Sequence, residues 1–153
     1  MIPTRWDNGC PSGLLFFPNM NRRLLPFVLI IALSSSTWAS SPNRAELEAA
    51  LDRSVSQTEL NITSQALAED WERERLHLED DLARRLPKVD RRRHRRARTA
   101  WEAFRRVEVC FQAGRFGGGS IEPLVANLSY VRVTSERVAT LTDLLNELRR
   151  ATD

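Results

Sequence analysis

From Gln57 to Leu86 the chain runs without a proline or glycine, and within it apolar residues return at helical spacing. Leu60, Leu67, Trp71, Leu78, Leu82 and Leu86 share one stripe, with the small Ser64 on the same face. That period, sustained to a stop at Pro87, fits a long amphipathic helix and no strand. Opposite charges four apart, such as Glu69 with Arg73 and Asp81 with Arg85, add support along its surface. This one segment restricts the fold to architectures that bury one face of a long helix. A shorter helix is expected before it, over Asn43–Arg53.

Two further helices follow. One spans about Lys88 to Ala113, with Ala97, Ala100, Trp101, Phe104, Val107 and Phe111 as its expected core face. Gly114-Arg115-Phe116-Gly117-Gly118-Gly119-Ser120 is a loop, since its glycines make helix continuation costly. Ser120 is placed to cap the last helix, with Pro123 tolerated in its first turn. That helix carries Ile121, Leu124, Val125, Leu128, Val131, Val138, Leu141, Leu145 and Leu148. The fold class expected is all-α: a small antiparallel bundle of three main helices with a short amino-terminal helix.

The first forty residues read as address rather than fold. Met20-Asn21-Arg22-Arg23 gives a basic start, Leu24 to Leu33 an apolar run, and Ser34 to Ser40 a small, polar stretch. The run is about half what a membrane-spanning helix needs, and cleavage after Ala39 suits a secretory signal. The division expected is therefore 1–19 as a start extension ahead of Met20, 20–39 as signal peptide, and 40–153 as a helical domain, periplasmic or secreted in a bacterium. Removing 1–39 takes Arg5, Arg22 and Arg23 against Asp7. The charge then falls from +3 to 20 basic against 19 acidic residues, because 23 − 3 = 20 and 20 − 1 = 19. A domain near neutrality has little general attraction to nucleic acid or to a membrane surface. Cys10 leaves with the leader, so Cys110 is expected to stand alone in the mature chain.

The stretch Ala97 to Leu145 resembles the lysozyme inhibitor LprI-like amino-terminal domain family. The resemblance is carried by Ala97, Ala100-Trp101, Phe104-Arg105, Cys110, Gly118-Gly119-Ser120-Ile121, Thr134, Glu136-Arg137 and Leu141, in that order. Thr58-Glu59-Leu60-Asn61 is similar to a segment upstream in the family. Thr63 and Ser129 stand where further cysteines are usual, and Arg98 and Arg106 replace other polar residues. The resemblance implies an exported helical domain, without the usual disulfides, in which Trp101, Phe104, Arg105, Cys110, Thr134 and Arg137 are structural. It also implies lysozyme as the partner to test, the alternative being an envelope interaction module without inhibitory activity.

No residue pattern points to catalysis, cofactor or metal. His77 lies near Glu74 and Asp81 on one helix face, where a solvated charged surface is the stronger reading. The GGGS run lacks the Lys that a phosphate loop requires, and neither Ser120 nor Cys110 has a base and orienting group beside it in sequence. Arg91 to Arg98 spreads around its helix and reads as a solvated, partly paired surface. Trp71, Trp101, Phe104 and Phe111 are expected in the core. Phe116 has two readings: it folds back over the bundle end, or it enters a partner's cleft together with Arg115 and the loop Gly117, Gly118, Gly119 and Ser120.

Overall fold

The computed structural model describes residues 43–151; the leader, its cleavage after Ala39 and the extension over 1–19 lie outside the described residues. These residues form four helices: α1 Arg44–Arg53, α2 Gln57–Arg85, α3 Lys88–Gly114 and α4 Glu122–Arg150. Among the described residues there is no strand, and the all-α bundle is as the periodicity demands. No helix among them is long and apolar enough to cross a membrane.

Local chemistry sets the ends. Asn43 caps α1 and Ser56 caps α2, each in a reciprocal capping box with the glutamate three residues on, Glu46 and Glu59. Each box satisfies backbone donors that the first helical turn leaves orphaned. Leu86 and Pro87 alone join α2 to α3, so the chain reverses within two residues. Ser120 does not cap α4. The helix begins one residue later with no side-chain cap, Pro123 sits in its first turn, and the Glu122 carboxylate accepts a hydrogen bond from Gly118 N–H at 2.7 Å. Along α2, Asp81 pairs with Arg85 as its spacing demands. Arg73 instead pairs with Asp70 at 2.7 Å, and Glu69 accepts from Gln65.

α4 packs against both α2 and α3, and α1 lies on α2. Leu47 anchors α1, and its Arg44 lies 3.5 Å over the Trp71 ring while pairing with Asp70 and Glu74. Near the α3–α4 loop, Val109, Ala113 and Ala126 form one apolar cluster with Tyr130 beside it. At the far end Leu82, Leu141 and Leu145 form another, flanked by Leu78, Leu86 and Leu148. The bundle thus has an apolar cluster toward each end and something different between them.

The core face expected for α3 is corrected. Phe104, Val107 and Phe111 are 56%, 69% and 63% exposed, and Ala97 and Ala100 are exposed too. Only Trp101 of that stripe turns inward. The buried side of α3 runs through His94, Arg98, Trp101, Arg105, Val109 and Ala113, about a third of a turn away. Its neighbour α2 presents carboxylates there, so charge rather than apolar surface decides which side of α3 faces in.

Candidate functional site

The middle layer of the bundle is ionic. Arg75 and Glu79 of α2 are 1% and 0% exposed, at positions where the stripe between Trp71 and Leu82 must face the core. Glu72 accepts two hydrogen bonds from Arg75, at 2.7 and 2.8 Å, and one from Arg105 at 2.6 Å. Glu79 accepts two from Arg137 of α4, at 3.0 and 3.2 Å, and lies 3.6 Å from Arg75. From α3, His94 Nε2 stands 3.2 Å from Glu79, and Arg98 Nε bonds Glu102 at 3.0 Å while lying 3.9 Å from Glu79. Glu102 reaches back to Arg75 at 3.6 Å. Arg75, Arg105 and Arg137 are thereby offset by Glu72, Glu79 and Glu102.

Trp101 is the platform for this layer. The guanidinium carbons of Arg105, Arg75 and Arg137 lie 4.6, 5.2 and 5.7 Å from its ring centroid, and Arg105 is also 4.2 Å from the Tyr130 ring. Guanidinium tolerates such burial because it is weakly hydrated and is attracted to aromatic faces. Burial alone would raise the Glu72 carboxyl, but hydrogen bonds and charge from Arg75 and Arg105 overcome it and hold it at about 2. Burial chiefly, with the Glu72 charge adding, pushes the Tyr130 phenol up against the pull of Arg105. The chemistry of the layer is mutual neutralisation of charge.

Four of the residues named from the resemblance meet here: Trp101, Arg105, Arg137 and Thr134, whose hydroxyl lies 3.4 Å from Arg105. Arg105 therefore serves a carboxylate and two aromatic rings, a structural role as the resemblance implies. Phe104 does not join them and faces outward. Cys110 is half-buried on α3 and is not a free thiol; the expectation that it stands alone once the leader is removed turns on residues outside the described ones. Glu72, Arg75, Glu79 and Tyr130 were not singled out from sequence. A signal existed: the stripe leaps from Trp71 to Leu78, and Arg75 falls in the gap. His77 is exposed, and among the described residues no cluster of three or more His, Cys, Asp or Glu side chains is arranged to hold a metal. Within the arginine run, Arg93 pairs with Asp90 and Arg98 with Glu102 and Asp80.

The second feature is the loop Arg115 to Ser120, brought to one end of the bundle with every residue exposed. It is not a slack connection. Phe116, Gly117, Gly119 and Glu122 each donate a backbone N–H to the carbonyl three residues back. Gly118 adopts φ 79, where other residues are strained, and a Cβ on Gly119 would lie 3.2 Å from the Phe116 carbonyl oxygen. Asn61 of α2 donates to the Ser120 carbonyl at 3.4 Å, and Asn127 of α4 bonds Ser64 at 3.0 Å below it, fixing the loop's base. Phe116 remains 43% exposed beside Ile121 at 42%, so it is only partly folded back. No carboxylate among the described residues pairs with Arg115.

The described residues thus form a four-helix domain with a buried arginine–carboxylate layer at its centre and a glycine-rich loop that presents a cation and an aromatic. Residues 39–141 match the family model described as Lysozyme inhibitor LprI, and the chain belongs to that family. No curated protein and no solved structure was found to match it.

Proposed function

We propose that this chain is an exported protein that binds and inhibits lysozyme through the loop Arg115 to Ser120, and that it performs no catalysis itself. The observation that carries the reading is the loop's geometry in a member of this family: exposed at its tip, tied down at its base and along its backbone. A loop already held in one conformation loses less entropy on binding than a slack one. Lysozyme cleaves with a pair of carboxylates in a cleft that holds sugar rings. Arg115 supplies a guanidinium for those carboxylates, and Phe116 a flat face for a sugar subsite.

The test is hydrolysis of bacterial walls by c-type, g-type and i-type lysozymes in the presence of the purified protein. Stoichiometric inhibition of any one type is expected. Replacing Arg115 and Phe116 together by alanine should weaken it by about a hundredfold, the scale of losing an anchor pair at an interface, with helicity unchanged. Inhibition that survives this double substitution refutes the loop. A folded protein that inhibits no lysozyme leaves the envelope interaction module as the better reading.

A further inference from the structure

Among the described residues no other element packs on the outer face of α3, and its composition is ordered along the helix. Toward the carboxyl end stand the large residues Phe104, Val107 and Phe111, each more than half exposed. Toward the amino end the same face narrows to Ala100 and Ala103, which with Thr99 floor a shallow groove walled by Arg92, Arg95 and Arg96. None of those arginines is among the ion pairs of the ionic layer, whose members lie on the opposite side of α3. Single exposed apolar residues need no explanation. Three large ones at i, i+3 and i+7, beside a groove on the same helix, form a surface of knobs and a surface of holes.

We propose that this face binds a second copy of the chain, with the two α3 helices antiparallel and crossing near Ala103. In that arrangement each copy's Phe104, Val107 and Phe111 lie on the other's Ala103, Ala100 and Arg96. The pattern is self-complementary, as a two-fold interface requires: large meets small in both directions. Charge selects the same orientation. A parallel pair sets Arg92 and Arg96 against their own copies, whereas the antiparallel pair sets Arg96 beside the Phe111 ring, whose face attracts guanidinium. At about 40 Å, α3 is long enough to carry such a seam. A lipid surface fits less well, because it calls for an apolar stripe along the whole helix with arginines at its flanks. On α3 the arginines occupy the middle of the outer face itself.

The experiment is sedimentation equilibrium of the protein purified after expression from its full coding sequence, at concentrations up to on the order of 100 μM. The expected result is a monomer–dimer equilibrium whose dissociation constant rises at least about tenfold in Val107→Glu and in Phe111→Glu, while Ile62→Glu, an exposed apolar site on α2, changes it little. Circular dichroism checks that the variants keep their helicity. Independently of any destabilised variant, Ala103→Cys should form a dimer through its own symmetry mate under mild oxidation, identified as the linked peptide by mass spectrometry, and Ala139→Cys on α4 should not. A monomer throughout overturns the proposal. So does a dimer indifferent to Val107→Glu, or a monomer that sediments with phosphatidylglycerol vesicles and loses that binding in Val107→Glu. Arg115→Ala leaves the dimer intact, so its failure and that of the inhibitor reading are separable.

Discussion

α4 and α3 are both long amphipathic helices of one bundle, and they use their apolar residues in opposite ways. α4 buries Val138, Leu141 and Leu145 of the stripe its own sequence displays, and Val133 beside them, although Ile121 and Leu128 of that stripe are exposed. α3 leaves Phe104, Val107 and Phe111 in solvent and turns Trp101, Arg105 and Arg98 toward the interior. Apolar burial is favourable wherever it occurs, so the difference lies in the neighbours. α4 faces the leucines of α2 at one end. At its middle α3 meets Glu72, half-buried, and Glu79, fully buried, and both must be neutralised. An unpaired buried charge costs more than the exposure of a few aromatic residues returns. The helix therefore rotates to satisfy the carboxylates, and its apolar stripe goes outside.

The contrast can be broken first at Glu79. Replacing it with alanine leaves Arg137 without its carboxylate and removes one of the three that surround Arg75, and should cost about 3–5 kcal/mol in chemical denaturation. Leu141→Ala, in the apolar cluster, should cost about 2–5 kcal/mol. Were Glu79→Ala to prove nearly neutral while Leu141→Ala did not, the ionic layer would be incidental and the rotation of α3 would need another cause.

Acid sharpens the same point with a smaller effect. Glu72 is held at about 2 in the folded state against the 4.5 of a free glutamate. Its folded value is depressed, so the unfolded chain binds the proton more readily between these values. The stability it contributes is fully present above about pH 4.5 and is lost as pH falls through about 2. The loss is on the order of 2–3 kcal/mol. Denaturation midpoints followed from pH 5 to pH 2 should show that slope, and Glu72→Gln should remove Glu72's share of it. An unchanged slope in the variant would place the acid sensitivity elsewhere.

The smallest effect belongs to the outer stripe. Phe104→Ala should change the stability of the monomer, measured at high dilution, by less than about 1 kcal/mol, because little surface is returned to water. A buried phenylalanine would cost about 3–5 kcal/mol. A loss of that larger size would show that the stripe packs inward and would remove the contrast with α4 altogether.

Much of the fold was legible. The stripe through Leu67, Leu78 and Leu82, the stop at Pro87 and the glycines after Ala113 locate the helices and their order. The residues shared with the LprI family located Trp101, Arg105, Thr134 and Arg137 without showing what joins them. Glu72, the partner of Arg105, sits 33 residues before it on another helix, a distance over which periodicity carries no information. The loop's composition was plain, but not the succession of turns that holds it, since those bonds run between backbone atoms that every residue shares.

The sequence alone therefore determined that this chain forms long helices, where each one ends, and which residues are able to be apolar or charged partners. Only the tertiary structure decided which face of α3 looks inward. A helix's own pattern measures how its sides differ from one another. Which side is buried depends on the difference between that side and the surface opposite, and in the middle of this bundle the opposing surface is a pair of carboxylates.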